Sequence, residues 1–180
     1  MKLSKYFSIM FLCVLFTSNI VQAASKAEID ADVQFALTAF YHLSPGNKEL
    51  ASKAAGVLVF PSIMKAGFFV GGDYGEGALQ VGGKTVDYFS TAAISFGLQL
   101  GAQSRSEVIL FMDKDTLENF RVHDGWAAGL DGSVAGIDNG AGKGINTETA
   151  KEPIIAFIFS NKGLMGNLSL EGSKFSKIYR

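Results

Sequence analysis

The sequence predicts an α+β fold, with a mostly antiparallel, curved β-sheet, an N-terminal amphipathic helix and one or two short helices. Short apolar stretches recur along the chain at spacings near ten residues, which is typical of one antiparallel or mixed sheet. The 21 glycines lie inside these patterned stretches, about twice the usual content. Helical periodicity is strongest in one segment near the N-terminus, so we expect few helices.

The first 23 residues have the pattern of a secretory signal peptide. Lys2 and Lys5 form a basic start, an apolar run extends from Tyr6 to Ile20, and Val21–Ala23 fits a small-residue cleavage site. A retained membrane anchor is the alternative, but the run is short for a span of about 20 apolar residues. We therefore expect 1–23 to be removed and the protein to be periplasmic.

The remaining chain, 24–180, is expected to form a single domain. Its length is 157 residues (180 minus 23), which suffices for a sizeable core. Removal of two lysines changes the formal charge from −1 to −3, and a weakly acidic chain does not favour nucleic-acid binding. The only cysteine, Cys13, lies in the leader. The mature chain therefore contains no thiol for a disulfide or a metal site.

An N-terminal helix is predicted by a capping box in which Ser25 precedes Glu28 by three residues. Four apolar residues then recur at helical spacing: Ile29, Val33, Leu37 and Phe40. The helix should end at Ser44–Gly46. Its polar face carries Asp30 and Asp32, whereas helices that lie on membranes usually carry Lys and Arg. We therefore expect this helix to pack on the sheet.

Two further short helices are predicted, one capped by Asn47 and ending near Ala54, and one that begins at Asp113 and ends at Phe120. The predicted strands are apolar or alternating segments: Val57–Phe60, Gly67–Gly72, Gly77–Val81, Thr91–Gly101, Val108–Met112, Leu130–Ile137, Ile154–Phe159 and Leu164–Leu170. In the fourth of these strands, Ile94 lies on the apolar face and alternates with small or polar residues. Repeated glycines in strands predict curvature or a close backbone approach.

No motif for catalysis, metal binding or nucleotide binding is complete. His42 and His123 have no second ligand at a metal-binding spacing. Gly132–Gly136 misses the spacing of a hydrolase elbow. Gly140–Gly144 lacks the Ser or Thr and the earlier glycine of a phosphate loop. We therefore predict a protein without catalytic residues, cofactor or metal, and an unrecognised hydrolase that uses Ser133 remains an alternative.

The C-terminal segment combines cations with apolar residues. Lys174, Lys177 and Arg180 alternate with Phe175, Ile178 and Tyr179. Such a segment can bind an anionic membrane, with each cation contributing about 1 kcal/mol near the surface. The alternative is a terminal strand whose apolar side chains pack on the core. Five cations are our candidate headgroup contacts: Lys65, Lys162, Lys174, Lys177 and Arg180.

Several blocks of distinctive wording follow one another along the chain. The last of them reads Phe159-Ser-Asn-Lys-Gly-Leu-Met-Gly-Asn-Leu-Ser-Leu-Glu-Gly-Ser173. The earlier blocks are Lys53–Pro61, Lys65–Gly72, Gly75–Leu79, Ala93–Gly101 and Val108–Met112. In this order the blocks resemble the SYLF (Ysc84-like) family over residues 45–178. The resemblance implies a non-enzymatic lipid-binding module: eukaryotic members bind phosphoinositide membranes, a fungal branch binds and bundles actin, and bacterial members are typically exported.

The resemblance and the leader together predict an exported protein that binds anionic phospholipid at a membrane surface. Lipid binding in the family is associated with a basic or amphipathic N-terminal segment, whereas here that segment carries Glu28, Asp30 and Asp32. An exported protein would also meet neither cytoplasmic actin nor much phosphoinositide. A scaffold that binds another envelope protein is the main alternative.

Overall fold

An eight-stranded sheet and three helices form the part of the chain that the computed structural model describes, namely residues 24–67, 70–96, 103–138, 151–159, 170 and 172–180. The helices are α1 (Lys26–Leu43), α2 (Pro45–Lys53) and α3 (Lys114–Val122). The strands are β1 (Gly56–Gly67), β2 (Val70–Val81), β3 (Lys84–Phe96), β4 (Gln103–Phe111), β5 (Trp126–Ala127), β6 (Ala135–Asp138), β7 (Ile154–Phe159) and β8 (Lys174–Ile178).

The sheet has the strand order β5-β8-β3-β2-β1-β4-β7-β6. Every neighbouring pair is antiparallel except β6 and β7, which are parallel. The long strands β1, β2 and β3 lie in the middle of this order, and short strands form both edges. The predicted α+β fold with a mostly antiparallel, curled sheet and an N-terminal helix is confirmed.

Apolar side chains fill both faces of the sheet, because alternate residues of each strand point to opposite sides. On the α1 face, helix α1 packs against a cluster of β-strand residues: Val59, Ala78, Val108, Leu110, Ile155 and Phe157. On the α3 face, helix α3 and the residues around β5 and β8 pack against a second cluster: Leu58, Phe60, Ile63, Leu79, Phe89, Ile109 and Phe111. The sheet therefore forms the central layer.

Helix α1 begins at the predicted capping box. The Ser25 backbone N–H donates to Glu28 Oε2 at 2.7 Å, and the Glu28 N–H donates to Ser25 Oγ at 3.3 Å. The predicted apolar stripe is buried on the sheet. Asp30 accepts hydrogen bonds from the hydroxyls of Thr85 and Tyr88 at 2.8 and 3.0 Å. These bonds fix the start of α1 on strand β3, and they give a structural role to one of the acidic residues on its polar face.

The predicted cap of α2 was wrong. The helix begins at Pro45, whose missing N–H suits the first helical turn, and Ser44 is the N-cap residue. Asn47 lies inside the helix and is buried. Its Nδ2 donates to the Phe40 carbonyl at 2.9 Å. Because that carbonyl is in the last turn of α1, Asn47 joins the two helices instead of capping one.

Strand β1 was predicted to end before Pro61. It instead continues to Gly67 with a bulge. Its register against β2 shifts between Val59 and Ser62, and its register against β4 shifts between Phe60 and Ile63. Proline cannot donate to a sheet ladder, so in a central strand it is confined to a bulge. The Pro61 carbonyl still accepts from Ser106 Oγ at 2.7 Å.

Glycines of β2 allow the bulged strand to come close. A Cβ at Gly77 would lie 2.0 Å from the Val59 carbonyl oxygen, and one at Gly75 would lie 2.8 Å from the Ser62 carbonyl oxygen. The predicted close backbone approach is thus present at these two positions. Gly82 and Gly83 form the turn between β2 and β3, and both have positive φ.

Four predicted strands have different limits in the structure. The predicted break within β2 is absent, since the strand is continuous from Val70 to Val81. The predicted strand Leu130–Ile137 is reduced to β6, and the short β5 precedes it. Strand β3 begins at Lys84, before the predicted Thr91, and the last residues of that prediction lie outside the described part. The predicted strand at 164–170 lies outside it too, except for Leu170.

Candidate functional site

An exposed apolar patch lies on the α1 face, on the halves of β1, β2 and β3 that helix α1 leaves uncovered. We define the open patch as Met64, Tyr74, Ala92 and Ile94. Met64 pairs with Tyr74, Tyr74 pairs with Ala92, and Ile94 is two residues further along β3. The side chains of Met64, Tyr74 and Ile94 are 50%, 53% and 74% exposed. The register therefore places three large apolar side chains beside one another in solvent.

The length of the strands explains why this patch is uncovered. Strands of 12 or 13 residues are about 40 Å long at ~3.3 Å per residue, whereas one helix is only about 10 Å wide. Helix α1 crosses the sheet near Val59 and Ala78, and the open patch begins several residues beyond both. Ile94 was predicted on the apolar face of its strand, which is correct, but that face is open at this position.

Two of the five candidate cations lie on the same face as the open patch. Lys174 pairs with Ala92 across β8 and β3, is exposed, and forms no ion pair with a described residue. Arg180 forms an ion pair with Glu76, and the Tyr74 hydroxyl donates to the same Glu76 oxygen at 2.8 Å. The exposed Lys174 therefore borders the open patch next to Ala92, with its side chain extending past Gly125, and the Arg180–Glu76 ion pair lies beside Tyr74.

The other candidate cations are placed elsewhere. Lys177 lies on the α3 face, where its Nζ is 2.5 Å from Asp87 Oδ1. Arg121 Nε donates to the other Asp87 oxygen at 3.0 Å. Lys65 follows the buried Ile63 by two residues and so lies on the α3 face too, and Lys162 lies outside the described residues. Of the four candidate cations in the described part of the chain, Lys174 and Arg180 are thus the two on the face of the open patch.

A buried ionic cluster on the α3 face was missed by the sequence reasoning. The Arg105 guanidinium forms ion pairs with both Asp73 and Glu107, and its Nε donates to Glu107 Oε1 at 2.9 Å. All three residues are buried, and no described residue bonds Asp73 Oδ1 or Glu107 Oε2. The only available signal was that Glu107 occupies an inward position of an apolar strand, two residues before Ile109.

Burial dominates the protonation of this cluster. Burial raises the pKa of Glu107, and the neighbouring Arg105 only partly opposes that shift. For Arg105 itself, burial lowers the pKa, but Glu107 and Asp73 outweigh the burial and the net shift is upward. Two carboxylates share one guanidinium, so the cluster has an excess of one acid. It therefore favours a proton on Glu107 over a second buried negative charge.

Ser133, the nucleophile of the hydrolase alternative, lines a cleft of about 300 Å³. Asp115, Asp131 and Trp126 line the same cleft. The Asp131 carboxylate accepts the Ala127 backbone N–H at 2.7 Å, so it is already engaged. The described lining residues include no histidine or lysine that would activate Ser133. The prediction that this protein has no catalytic residues stays a prediction.

The two histidines take no part in either site. His42 is exposed in the last turn of α1, and the His123 Nδ1 lies 3.1 Å from the Asn119 carbonyl oxygen. Among the described residues, no three His, Cys, Asp or Glu side chains are grouped so as to hold a metal ion. No helix in the described ranges is both long and apolar enough to cross a membrane.

An exposed apolar patch bordered by a cation is typical of a surface that binds another molecule. Residues 92–178 match the family model Ysc84, whose description is Las17-binding protein actin regulator. The predicted resemblance to the SYLF (Ysc84-like) family is thus confirmed for residues 92–178. The matched range contains Ala92, Ile94 and Lys174 and excludes Met64 and Tyr74. No match to a curated protein was found.

Proposed function

We propose that this protein is exported through its N-terminal signal peptide, acts in the periplasm, and binds anionic phospholipid at a membrane surface without catalysing a reaction. The observation that carries the proposal is the open patch, in which three large exposed side chains lie beside the exposed Lys174. The lipid binding that the family resemblance implies supports it. We assign Lys174 as the main headgroup contact and Arg180 as a second contact.

The chemistry of the patch suits the interface of a bilayer. Met64 and Ile94 offer apolar surface at about 25 cal/mol per Å² buried, while Tyr74 combines a ring with a hydroxyl and so suits the boundary between water and lipid. Lys174 contributes about 1 kcal/mol near an anionic surface. These contributions predict reversible binding at a surface, with the strands lying against the headgroups.

Vesicle co-sedimentation tests the lipid proposal. We expect the purified protein to sediment with vesicles that contain phosphatidylglycerol, and to bind less to vesicles of phosphatidylcholine alone. Raising the salt from 0.1 M to 1 M shortens the Debye length from about 10 Å to about 3 Å, so binding should weaken. Equal binding to both vesicles, or no binding at low salt, would contradict the proposal.

Charge reversal locates the electrostatic contact. Lys174→Glu replaces an attraction of about 1 kcal/mol by a similar repulsion, so vesicle affinity should fall by roughly 30-fold. Lys84→Glu is the matched control, because Lys84 is also exposed but lies at the opposite end of β3. Equal losses in the two variants would show that only net charge matters and that the patch is not the site.

A matched apolar pair tests insertion of the patch. Ile94 and Val122 are both 74% exposed, but Val122 ends helix α3, away from the patch. Ile94→Ser should weaken binding to anionic vesicles several-fold even at high salt, since it removes apolar surface. Val122→Ser should leave binding unchanged, and a loss in both variants would count against the patch.

Export is tested by the N-terminus of the protein that accumulates in cells. If residues 1–23 are a cleaved leader, intact-mass spectrometry of periplasmic protein should give a chain that begins at Ala24. Protein that retains Met1 and sediments with the cytoplasmic membrane would instead support the membrane anchor. Because this test uses no lipid, its result is independent of the vesicle experiments.

Protein binding is the second candidate, and the description of the matched family favours it because it names binding to a protein partner. In that case the open patch would contact an envelope protein instead of lipid. Cross-linking in cells from a cysteine placed at Ile94 should then retain a defined protein partner, with a cysteine at Val122 as control. A protein that binds no vesicles and yields such a partner would replace the lipid proposal.

A further inference from the structure

A second site is formed by a cleft of about 300 Å³ on the α1 face, at the opposite end of β2 and β3 from the open patch. It lies where helices α1 and α2 meet the turn between β2 and β3. Polar groups from all of these elements line it: Tyr41, Lys48, Ser52, Gln80, Gly82 and Gly83. The volume is at the lower end of the range for small-molecule sites, about 300–1,000 Å³.

Gln80 is the residue that distinguishes this cleft from an ordinary surface depression. It is only 6% exposed and lines the cleft, yet its side-chain amide forms no hydrogen bond with another described residue. The amide atoms are not among the buried side-chain atoms that lack a partner, so the amide remains accessible from the cleft. A ligand in the cleft would satisfy this amide, which offers both a donor and an acceptor.

The charge of the cleft selects an anion. Lys48 is the ionised side chain among the described lining residues, and none of them is acidic. Lys48 forms no ion pair with a described residue, whereas the nearby Lys53 is paired with Glu49 at 2.6 Å. Burial raises the pKa of Tyr41, so its hydroxyl remains a donor at neutral pH. Donors and one positive charge therefore predominate.

The remaining walls set the shape of a ligand. Ala51, Ala54 and Val57 supply an apolar wall. No atom lies within 4 Å of a Cβ placed at Gly82 or Gly83, so the backbone of the turn is open to an approaching molecule. Ser52 Oγ donates to the Glu49 carbonyl at 2.7 Å. The lone pairs of this Oγ can therefore accept a hydrogen bond from a ligand hydroxyl.

We propose that this cleft binds a small organic anion, whose carboxylate or phosphate monoester group contacts Lys48 and the Gln80 amide. A short carbon skeleton, with a hydroxyl near Ser52, would pack on the apolar wall. The same chemistry is available from a soluble molecule and from a phospholipid headgroup. The site is separate from the open patch and does not depend on the proposed membrane binding.

Heteronuclear NMR of the ¹⁵N-labelled protein tests the cleft directly. The probes are sn-glycerol 3-phosphate, butyrate, inorganic phosphate and, as an uncharged control, glycerol. We expect saturable shifts of the Gln80 side-chain amide and of the Gly82 and Gly83 backbone amides with at least one of the organic anions, and none with glycerol. Unchanged signals at these three positions with every anion would overturn the proposal.

Matched variants separate the site from general charge attraction. A hydrogen bond to a charged group is worth about 1.5–3 kcal/mol, so Lys48→Gln should weaken binding at least about tenfold. Lys53→Gln removes the same charge from the same helix, at a side chain that is 63% exposed, and should leave affinity unchanged. Equal losses in the two variants would overturn the site.

Gln80→Met keeps the length of the side chain and removes the amide. The variant should fold, because it replaces a side chain that is only 6% exposed by an apolar one of similar volume, and it should lose affinity for the anion. Unchanged affinity would overturn the role of Gln80. Vesicles with phosphatidylglycerol provide the last comparison: shifts in the cleft assign a headgroup, and shifts with soluble anions alone assign a soluble ligand.

Discussion

Phe120 is the residue whose truncation tests the packing of the α3 face most severely. It is buried, and its ring lies 4.8 Å from those of Phe89 and Phe111, 5.5 Å from Trp126 and 6.1 Å from Phe175, measured between centroids. These four partners come from β3, β4, β5 and β8. The side chain therefore joins helix α3 to both halves of the sheet.

The expected cost of Phe120→Ala follows from this environment. Truncation of a buried Phe costs about 3–5 kcal/mol because contacts are lost and a cavity remains. Four ring neighbours on rigid strands limit collapse into that cavity, so we expect about 4 kcal/mol. For a chain of 180 residues, each kcal/mol lowers the melting temperature by about 2–4 °C. Phe120→Ala should therefore melt roughly 8–16 °C lower.

Urea unfolding followed by tryptophan fluorescence is the appropriate assay, because Trp126 is the only tryptophan and contacts Phe120. Phe35→Ala is the matched control, since Phe35 is 69% exposed on helix α1. It should change the free energy of unfolding by no more than about 0.5 kcal/mol. A cost below about 1 kcal/mol for Phe120→Ala, or similar costs for both variants, would refute the reasoning.

Two further predictions concern the sheet. Gly77→Ala should destabilise the protein by about 1–3 kcal/mol in urea unfolding, because the new Cβ would meet the Val59 carbonyl. The control Gly72→Ala should be neutral, since its Cβ would meet no atom within 4 Å. Equal effects of the two variants would contradict the close approach at the bulge. Burial raises the pKa of Glu107, so the stability from its protonated form is present below about pH 4.3 and is lost as the pH rises through the folded-state value. The variant Glu107→Gln should not show this loss. Its free energy of unfolding should therefore increase relative to that of the wild type as the pH rises, by at most about 1.4 kcal/mol per pH unit. The opposite trend would refute the protonation of Glu107 beside Arg105.

Local signals of the sequence predicted the elements whose causes are local. The capping box at Ser25 and Glu28 marks the start of α1. Asp113 caps α3 through the Thr116 N–H at 2.7 Å, as predicted from its position before a short amphipathic segment. Buried strands such as Ile154–Phe159 were predicted from their continuous apolar character. In each case the signal that predicts the element lies within a few residues of the chain.

Features that depend on the neighbouring strand were mispredicted or missed. Pro61 was expected to end its strand, but the bulge against β2 accommodates it, and Gly77 allows that approach only because it faces Val59. The ionic cluster joins Asp73 and Arg105, which are 32 positions apart. No local pattern specifies such pairs, because strand register is set by the whole sheet.

The sequence by itself determined the fold class, the family and the start of the helices α1 and α3, because periodicity, caps and motif order are properties of short segments. Only the tertiary structure decided which exposed residues form a surface. Register placed Met64, Tyr74 and Ile94 together beside Lys174, and alternation turned Lys177 to the opposite face, where it pairs with Asp87. Two cations three residues apart in a strand point to opposite sides of a sheet, so a basic segment need not be a basic surface.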